Sequence, residues 1–518
     1  MELIKKNIHM QHHLNLASAQ ISLEEDHNIS DLRPDAEQII CKKAFVKVGE
    51  TKIQEDSVVI KGALLYKILY LTEEKEKRLC NMEGELPFEE KVYTGHPPMK
   101  DCLRVMAKAE DVAVRLINSR KMNIRCIITL DILQDELFDE EVIVDVEQKE
   151  ACEIRKKNMD VTAIVLDTKD LYRVKEEIQI PDGMPNIYHM LWENVRVDGV
   201  NFVPMDGKIG IQGEWTAFFL YEGEEESAEG RAFEVTRPFS GILEMPGCNE
   251  NMILCMDYEM DTPQIEVRSD YDGEERLIGM DLELKLFIKL YQNMQISVVT
   301  DAYGLQEPME PVVRKSTCEH IAKKEYGKIK LAEVWENKEK EEMNLQILHV
   351  DGSIVDEKAV SEEGEVVING VVHMEILCKT DDENAPYRCI VADTPYRQSV
   401  SVPGMEENAP CNVRVGLEQM MANVQNGRMD IRTVLGYQLH ALQRIEEPVL
   451  AGMGKPMETE NEEALPVMSV YFVNDKETLW DIGKKYRVSL NGIREINQLN
   501  GEEVTPGQRI LVVKEMND

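Results

Sequence analysis

Val58-Val59-Ile60-Lys61-Gly62-Ala63-Leu64-Leu65-Tyr66-Lys67-Ile68-Leu69-Tyr70 decides the fold, because its pattern returns twice. It comes back as Lys208-Ile209-Gly210-Ile211-Gln212-Gly213-Glu214-Trp215-Thr216-Ala217-Phe218-Phe219-Leu220-Tyr221. The third copy is Glu365-Val366-Val367-Ile368-Asn369-Gly370-Val371-Val372-His373-Met374-Glu375-Ile376-Leu377-Cys378. Runs of β-branched and aromatic residues like these are strands, and a Gly at the centre marks a bulge or a close backbone approach. A Pro-aromatic pair follows each Gly at one spacing, as Pro87-Phe88, Pro238-Phe239 and Pro395-Tyr396. Gly turns at Thr94-Gly95, Pro246-Gly247 and Pro403-Gly404 come next. Landmarks at fixed offsets mean internal repetition.

The reading outward from these strands gives three copies of one all-β module, a sandwich or barrel, because short strands and Gly or Asn turns dominate. Residues 1–30 read as a frayed or helical lead-in. Repeat 1 with its connector takes 31–170, repeat 2 takes 171–327 and repeat 3 takes 328–450. Val161 to Asp167 and Ile296 to Tyr303 read as strands that extend repeats 1 and 2. Hairpin turns are expected at Asn118-Ser119, Asp272-Gly273 and Asn426-Gly427. Trp335-Glu336-Asn337 resembles Trp192-Glu193-Asn194 but stands further from its Gly, which implies an insertion. Residues 451–468 read as an acidic flexible linker.

The chain has 518 residues, a formal net charge of −38 and a mean hydropathy of −0.35. That acidity excludes nucleic acid and electrostatic docking on anionic lipid, both of which need basic patches. No apolar run has spanning length, and Met1 to Lys6 begins no signal peptide, so the expectation is a cytoplasmic protein without membrane insertion. The 11 Cys are scattered, with no Cys-x-x-Cys pair, and read as small buried thiols. His9, His12 and His13 lack the ligands that would complete a metal site. Asp270-Tyr271-Asp272-Gly273 lacks the later positions of a calcium loop, and Gly452-Met453-Gly454-Lys455 lacks the strand–loop–helix setting of a phosphate loop. No catalytic motif, metal set or cofactor fingerprint is found, so the chain reads as no enzyme.

From Ser469 to Asp518 the grammar changes to a small βααβ unit. Val470 to Val473 forms a strand, Thr478 caps a helix with Leu479, Ile482 and Tyr486 on one face, and Ile493 and Ile496 mark a second helix. Pro506-Gly507-Gln508 turns into a last strand, Ile510 to Val513. Tyr471-Phe472-Val473, Glu477-Thr478-Leu479-Trp480, Lys484-Lys485-Tyr486, Val488-Ser489, Ile496-Asn497 and Pro506-Gly507-Gln508 resemble a LysM domain. That resemblance implies a shallow groove for N-acetylglucosamine polymers, peptidoglycan or chitin-type, between the loops opening the first helix and leaving the second. The groove residues it implies are Lys476, Glu477, Thr478, Leu479, Trp480, Asn497 and Val504. Lys476 stands where the family usually has Gly and adds bulk there. Thr478 and Trp480 also fit as cap and packing residue.

The repeats resemble the SPOCS domain of endospore-forming Firmicutes, with Leu171-Tyr172-Arg173-Val174, Ile180-Pro181 and Pro185 leading in and Val299-Thr300-Asp301-Ala302-Tyr303 leading out. SPOCS repeats followed by one LysM module are similar to a family of clostridial spore coat morphogenetic proteins. The resemblance implies a non-enzymatic scaffold in the mother cell, at the forespore surface. It implies partners too: stage IV sporulation protein A, the coat-basement ATPase, and other coat proteins. The alternative is a peptidoglycan-binding protein of the cell wall or cortex.

Overall fold

The landmark strands pair as the repeat requires, and their neighbours explain the landmarks. The computed structural model describes residues 2–74, 77–99, 102–147, 151–224, 230–305, 309–336, 345–425, 428–454 and 467–513. Repeat 1 contains β1 (Leu3–Asn28), β2 (Ala36–Gln54), β3 (Ser57–Thr72), β4 (Leu79–Tyr93), β5 (Leu103–Asn118) and β6 (Lys121–Val146). Two antiparallel sheets, β2-β3-β4 and β1-β6-β5, face each other as a sandwich. Repeat 2 follows the same plan with β7 (Cys152–Gln179), β8 (Ile187–Met205), β9 (Lys208–Gly223), β10 (Arg231–Glu244), β11 (Ile253–Met260), β12 (Gln264–Ser269) and β13 (Glu275–Gly304). There β11 and β12 together replace one edge strand. Repeat 3 contains β14 (Glu310–Glu336), β15 (Gln346–Glu362), β16 (Glu365–Lys379), β17 (Tyr387–Ser401), β18 (Cys411–Gln425) and β19 (Arg428–Gly454). The chain is mainly β.

The landmark Gly is the cross-strand partner of the landmark aromatic: Gly62 pairs with Phe88, Gly213 with Phe239 and Gly370 with Tyr396. The ring lies across the space a side chain would fill. A Cβ on Gly62 would stand 2.6 Å from Phe88 Cζ and 2.6 Å from the Lys47 carbonyl oxygen. The bulge lies one strand over, where register slips between Val48 and Thr51, Asp198 and Asn201, and Val355 and Lys358.

Val58, Ile60, Leu64, Tyr66, Ile68 and Tyr70 point into the sandwich of repeat 1, while Leu69 and Leu71 point the other way and are as deeply buried. A strand buried on both faces reads as an unbroken apolar run. The second face is where the repeats meet. Leu69, Leu220 and Leu377, equivalent in the three copies, share one apolar cluster. The copies form a closed ring with pseudo-three-fold symmetry. Arg104 of repeat 1 bonds Glu259 of repeat 2 at 2.6 Å, and Arg196 of repeat 2 donates to the Val350 carbonyl of repeat 3 at 2.9 Å. Lys108 of repeat 1 donates to the Ile354 carbonyl of repeat 3 at 3.0 Å, which closes the circle.

The first and last strands of each repeat, β1–β6, β7–β13 and β14–β19, pair beyond its sandwich as a two-stranded antiparallel ribbon. The ribbons bundle into a stem whose layers again come one from each repeat. Met10, Val161 and Cys318 share one cluster with Val142, Val298 and Val449, and Ile143, Val299 and Leu450 form the next.

The stem corrects the expected boundaries. Residues 3–28 are no frayed or helical lead-in but a strand, because β6 needs a partner along its whole length. Ile8 and Met10 face inward, whereas Lys5 and His9 face Glu141 and Asp139. Val161 to Asp167 lies in β7 and opens repeat 2 rather than ending repeat 1, since it pairs with β13. Residues 310–327 likewise open repeat 3. Gly452 to Gly454, placed in the linker, pair with the start of β14. Residues 455–466 of that linker, and the Asn426-Gly427 turn, lie outside the described residues. Trp335 sits at the end of β14, and the position equivalent to Trp192 is His349: each pairs with the axial Leu of its repeat.

Candidate functional site

The C-terminal module pairs β20 (Met468–Phe472) with β21 (Arg509–Val513) and sets α1 (Leu479–Tyr486) and α2 (Leu490–Asn497) against them. Thr478 caps α1: its amide and hydroxyl donate to Asp481 Oδ2 at 2.9 and 2.7 Å, and its hydroxyl accepts from the Asp481 amide. Arg487 ends α1 in the left-handed region, and Lys484 and Lys485 complement its dipole. Ser489 caps α2 by accepting from the Gly492 amide at 3.2 Å.

The residue before the first expected groove loop is tied to the turn that follows the second. The Gly507 amide donates to the Val473 carbonyl at 2.8 Å, and the Val473 amide donates to the Gln508 carbonyl at 3.0 Å. Lys476, where the family usually has Gly, holds φ +67°, the left-handed conformation that Gly adopts freely. It is exposed, as is Thr478. Glu477 folds back, accepting from the Tyr471 hydroxyl at 2.8 Å and the Asn474 amide at 3.0 Å. The Asn474 amide first, then Tyr471, hold its carboxyl below the ordinary value. Val504 is half-buried against the module's core.

Three other expected groove residues serve the frame. Leu479 is fully buried. Asn497 ties α2 to β21, donating to the Ile493 and Leu511 carbonyls at 2.8 and 2.7 Å and accepting from the Leu511 amide at 2.7 Å. Trp480 turns away from the loops to the end of the repeat 2 ribbon. Its indole Nε1 donates to Asp301 Oδ2 at 2.8 Å, and its ring meets Tyr303 edge-on at 5.0 Å.

That second contact was not read from the sequence. Asp301 also accepts from Lys484 at 2.7 and 2.8 Å, and Glu153 accepts from the Leu490 amide at 3.0 Å. Tyr303 is buried in the module's core, its hydroxyl donating to the Val488 carbonyl at 2.9 Å. A Cβ on Gly483 would stand 2.5 Å from that hydroxyl, so Gly483 makes room for the docking. Asp301 and Tyr303 end the repeat's lead-out motif, and nothing in a one-dimensional pattern says what a strand end touches.

Docking covers the α1 side and leaves the two loops open. Their edge can bind by hydrogen bonds and loop contacts. Among the described residues no group of His, Cys, Asp and Glu could hold a metal ion, and no helix is long and apolar enough to cross a membrane.

The model of the SipL SPOCS domain matches residues 35–117, 186–268 and 345–425, and the LysM domain model matches 471–513. No curated protein and no solved structure matches. Each SPOCS match starts one residue before β2, β8 or β15 and stops before the last strand of its repeat, so the first strand of every sandwich lies upstream of it. Both domain types are binding or structural domains rather than catalytic ones. With three SPOCS domains and a C-terminal LysM domain, the chain has the SipL-like architecture, and these domains fit a sporulation, coat-associated protein.

Proposed function

We propose that the protein is a non-enzymatic coat morphogenetic scaffold that works in the mother cell, at the forespore surface, and helps coat proteins encase the spore. The observation that carries this reading is the LysM domain docked on a closed ring, which makes one body that keeps the LysM loop edge open. Lys476, Glu477, Thr478 and the loop around Val504 are the contacts of that edge. The partner is the stage IV sporulation protein A-like basement ATPase, with other coat proteins joining it. The acidic surface keeps so large a body soluble before assembly.

The same open loops favour a second reading, binding of an N-acetylglucosamine polymer in the cortex or wall. One experiment separates the two. The full chain and its Lys476→Glu variant are tested in parallel for capture of the basement ATPase and for co-sedimentation with purified peptidoglycan. Protein capture that Lys476→Glu weakens, without sedimentation, supports the scaffold. Sedimentation without capture overturns it and moves the function to the glycan.

A further inference from the structure

Along the ring axis the three repeats meet through equivalent positions, and in three layers beside the shared Leu69, Leu220 and Leu377 contact the three side chains differ. Lys43, Asn194 and Asp351 form one layer. Lys43 Nζ donates to Asn194 Oδ1 and, at 2.6 Å, to Asp351 Oδ2. Cys41, Trp192 and His349 form the next, each paired with the axial Leu of its own repeat. Asn194 Nδ2 donates to His349 Nε2 at 2.9 Å, so Nδ1 carries the ring proton and donates to Glu234 at 2.9 Å. The imidazole stacks on Phe218 at 4.2 Å. Leu79, Gly230 and Tyr387 form a third layer. A Cβ on Gly230 would stand 3.0 Å from Leu220, 3.5 Å from the Tyr387 hydroxyl and 3.6 Å from Leu79, and the Gly230 amide donates to that hydroxyl at 3.1 Å.

Each of these three layers is satisfied by one set of three unlike residues. The polar layer holds one cation, one amide and one anion, and its bonds run from repeat 1 to repeats 2 and 3 and back. Three copies of repeat 1 would instead bring three ammonium groups to within hydrogen-bond distance of each other, and three copies of repeat 3 would bring three carboxylates. Three tyrosines would not fit the space that Gly230 leaves to one, and three glycines would leave a void.

We infer that the axial faces are interaction surfaces addressed to one another. Each repeat accepts a SPOCS domain of complementary charge and shape and rejects a second copy of itself, so the ring closes only from repeats 1, 2 and 3 together. This is specificity by repulsion as much as by attraction. The apolar layers around it supply adhesion without choice. The polar layer supplies the choice, in the way a buried polar residue fixes register and partner elsewhere.

The test uses the full chain and three variants that all keep Asn194. Lys43→Asp leaves two carboxylates on the axis, Asp351→Lys leaves two ammonium groups, and the combined K43D/D351K restores one of each in exchanged places. Melting temperature and the monomer fraction in size-exclusion chromatography are read for all four. We expect each single variant to melt several degrees lower and to lose monomer, because an opened ring exposes Leu69, Leu220 and Leu377. The exchange recovers most of both losses. If one or both single variants fail to fold, a folded, monomeric exchange variant supports the inference by itself. An exchange variant no better than the worse single variant overturns it, and so do single variants that behave like the parent.

Discussion

At single residues, the two signals that revealed the repeat are one device. The central Gly and the Pro-aromatic pair are far apart in the chain but opposite each other in the sheet, where the ring covers the backbone that Gly leaves bare. Gly62→Ala would press a Cβ onto a ring and onto the Lys47 carbonyl, and the carbonyl belongs to a paired strand that cannot give way. We expect a loss of about 2 kcal/mol in denaturant unfolding, an overpacking cost. A loss near zero would remove the account of the landmark. A second residue sets a pH limit. Burial first, and then the Lys324 ammonium, push His440 from 6.5 down to about 4, with its ring against Cys255 Sγ at 3.1 Å. The folded chain therefore holds this His neutral where the unfolded chain would protonate it. Its contribution is fully present above the unfolded value and is lost as pH falls through 6.5 towards 4. Between pH 7 and pH 5 this site costs about 2 kcal/mol of stability. Urea unfolding of the parent and of His440→Asn at both pH values checks it: the variant should lose less on acidification.

Among the elements, the ribbons do most to turn three sandwiches into one body, and the repeat 2 ribbon also holds the LysM domain. Asp301→Ala removes the acceptor of the Trp480 indole and of Lys484, and should weaken docking by about 2 kcal/mol, the range for bonds to a charged group. Hydrogen exchange separates undocking from unfolding. The Trp480 indole proton and the Leu490 amide, bonded across the contact, should exchange faster, while the Ile493 amide, bonded to Ser489 within the domain, stays protected. Equal acceleration at Ile493 would mean that Asp301 matters to the domain's own fold. The sequence showed the sandwich core and the LysM frame because both rest on local patterns: the long apolar run of β3, period-two burial in β6, and caps at Thr478 and Ser489. It hid the ribbons. In β1, Lys5, Asn7 and His9 alternate with Ile8 and Met10 around a two-stranded element, and so short a polar alternation imitates a lead-in. Trp480 looked like a groove or packing residue because its partner, Asp301, lies 179 residues earlier.

At the scale of the molecule, the repeats could be three beads or one body, and burial favours the second. Leu69, Leu71, Leu220 and Leu377 on the axis and Val142, Val298 and Val449 in the stem are almost inaccessible, although none of them faces the core of its own sandwich. Every repeat therefore borrows part of its interior from the other two. The salt links across the seams, such as Arg104 to Glu259 and Arg314 to Glu140, join surfaces that apolar contact already holds. Cooperativity follows, because exposing one axial face strips the other two of their cover. A chain ending at Leu305 keeps repeats 1 and 2 whole, with every hydrogen-bonded strand pair inside them intact. It loses the cover over Leu69, Leu220, Val142 and Val298, and it leaves Lys43 without Asp351. Independent beads would melt at the temperature of the same repeats in the full chain. A shared interior predicts the opposite: the shortened chain melts earlier and self-associates through its bared apolar faces, while the full chain gives a single calorimetric transition for its ring. Three resolved transitions in the full chain, or an unchanged melting temperature in the shortened one, would make the ring a contact among finished domains rather than the unit that folds.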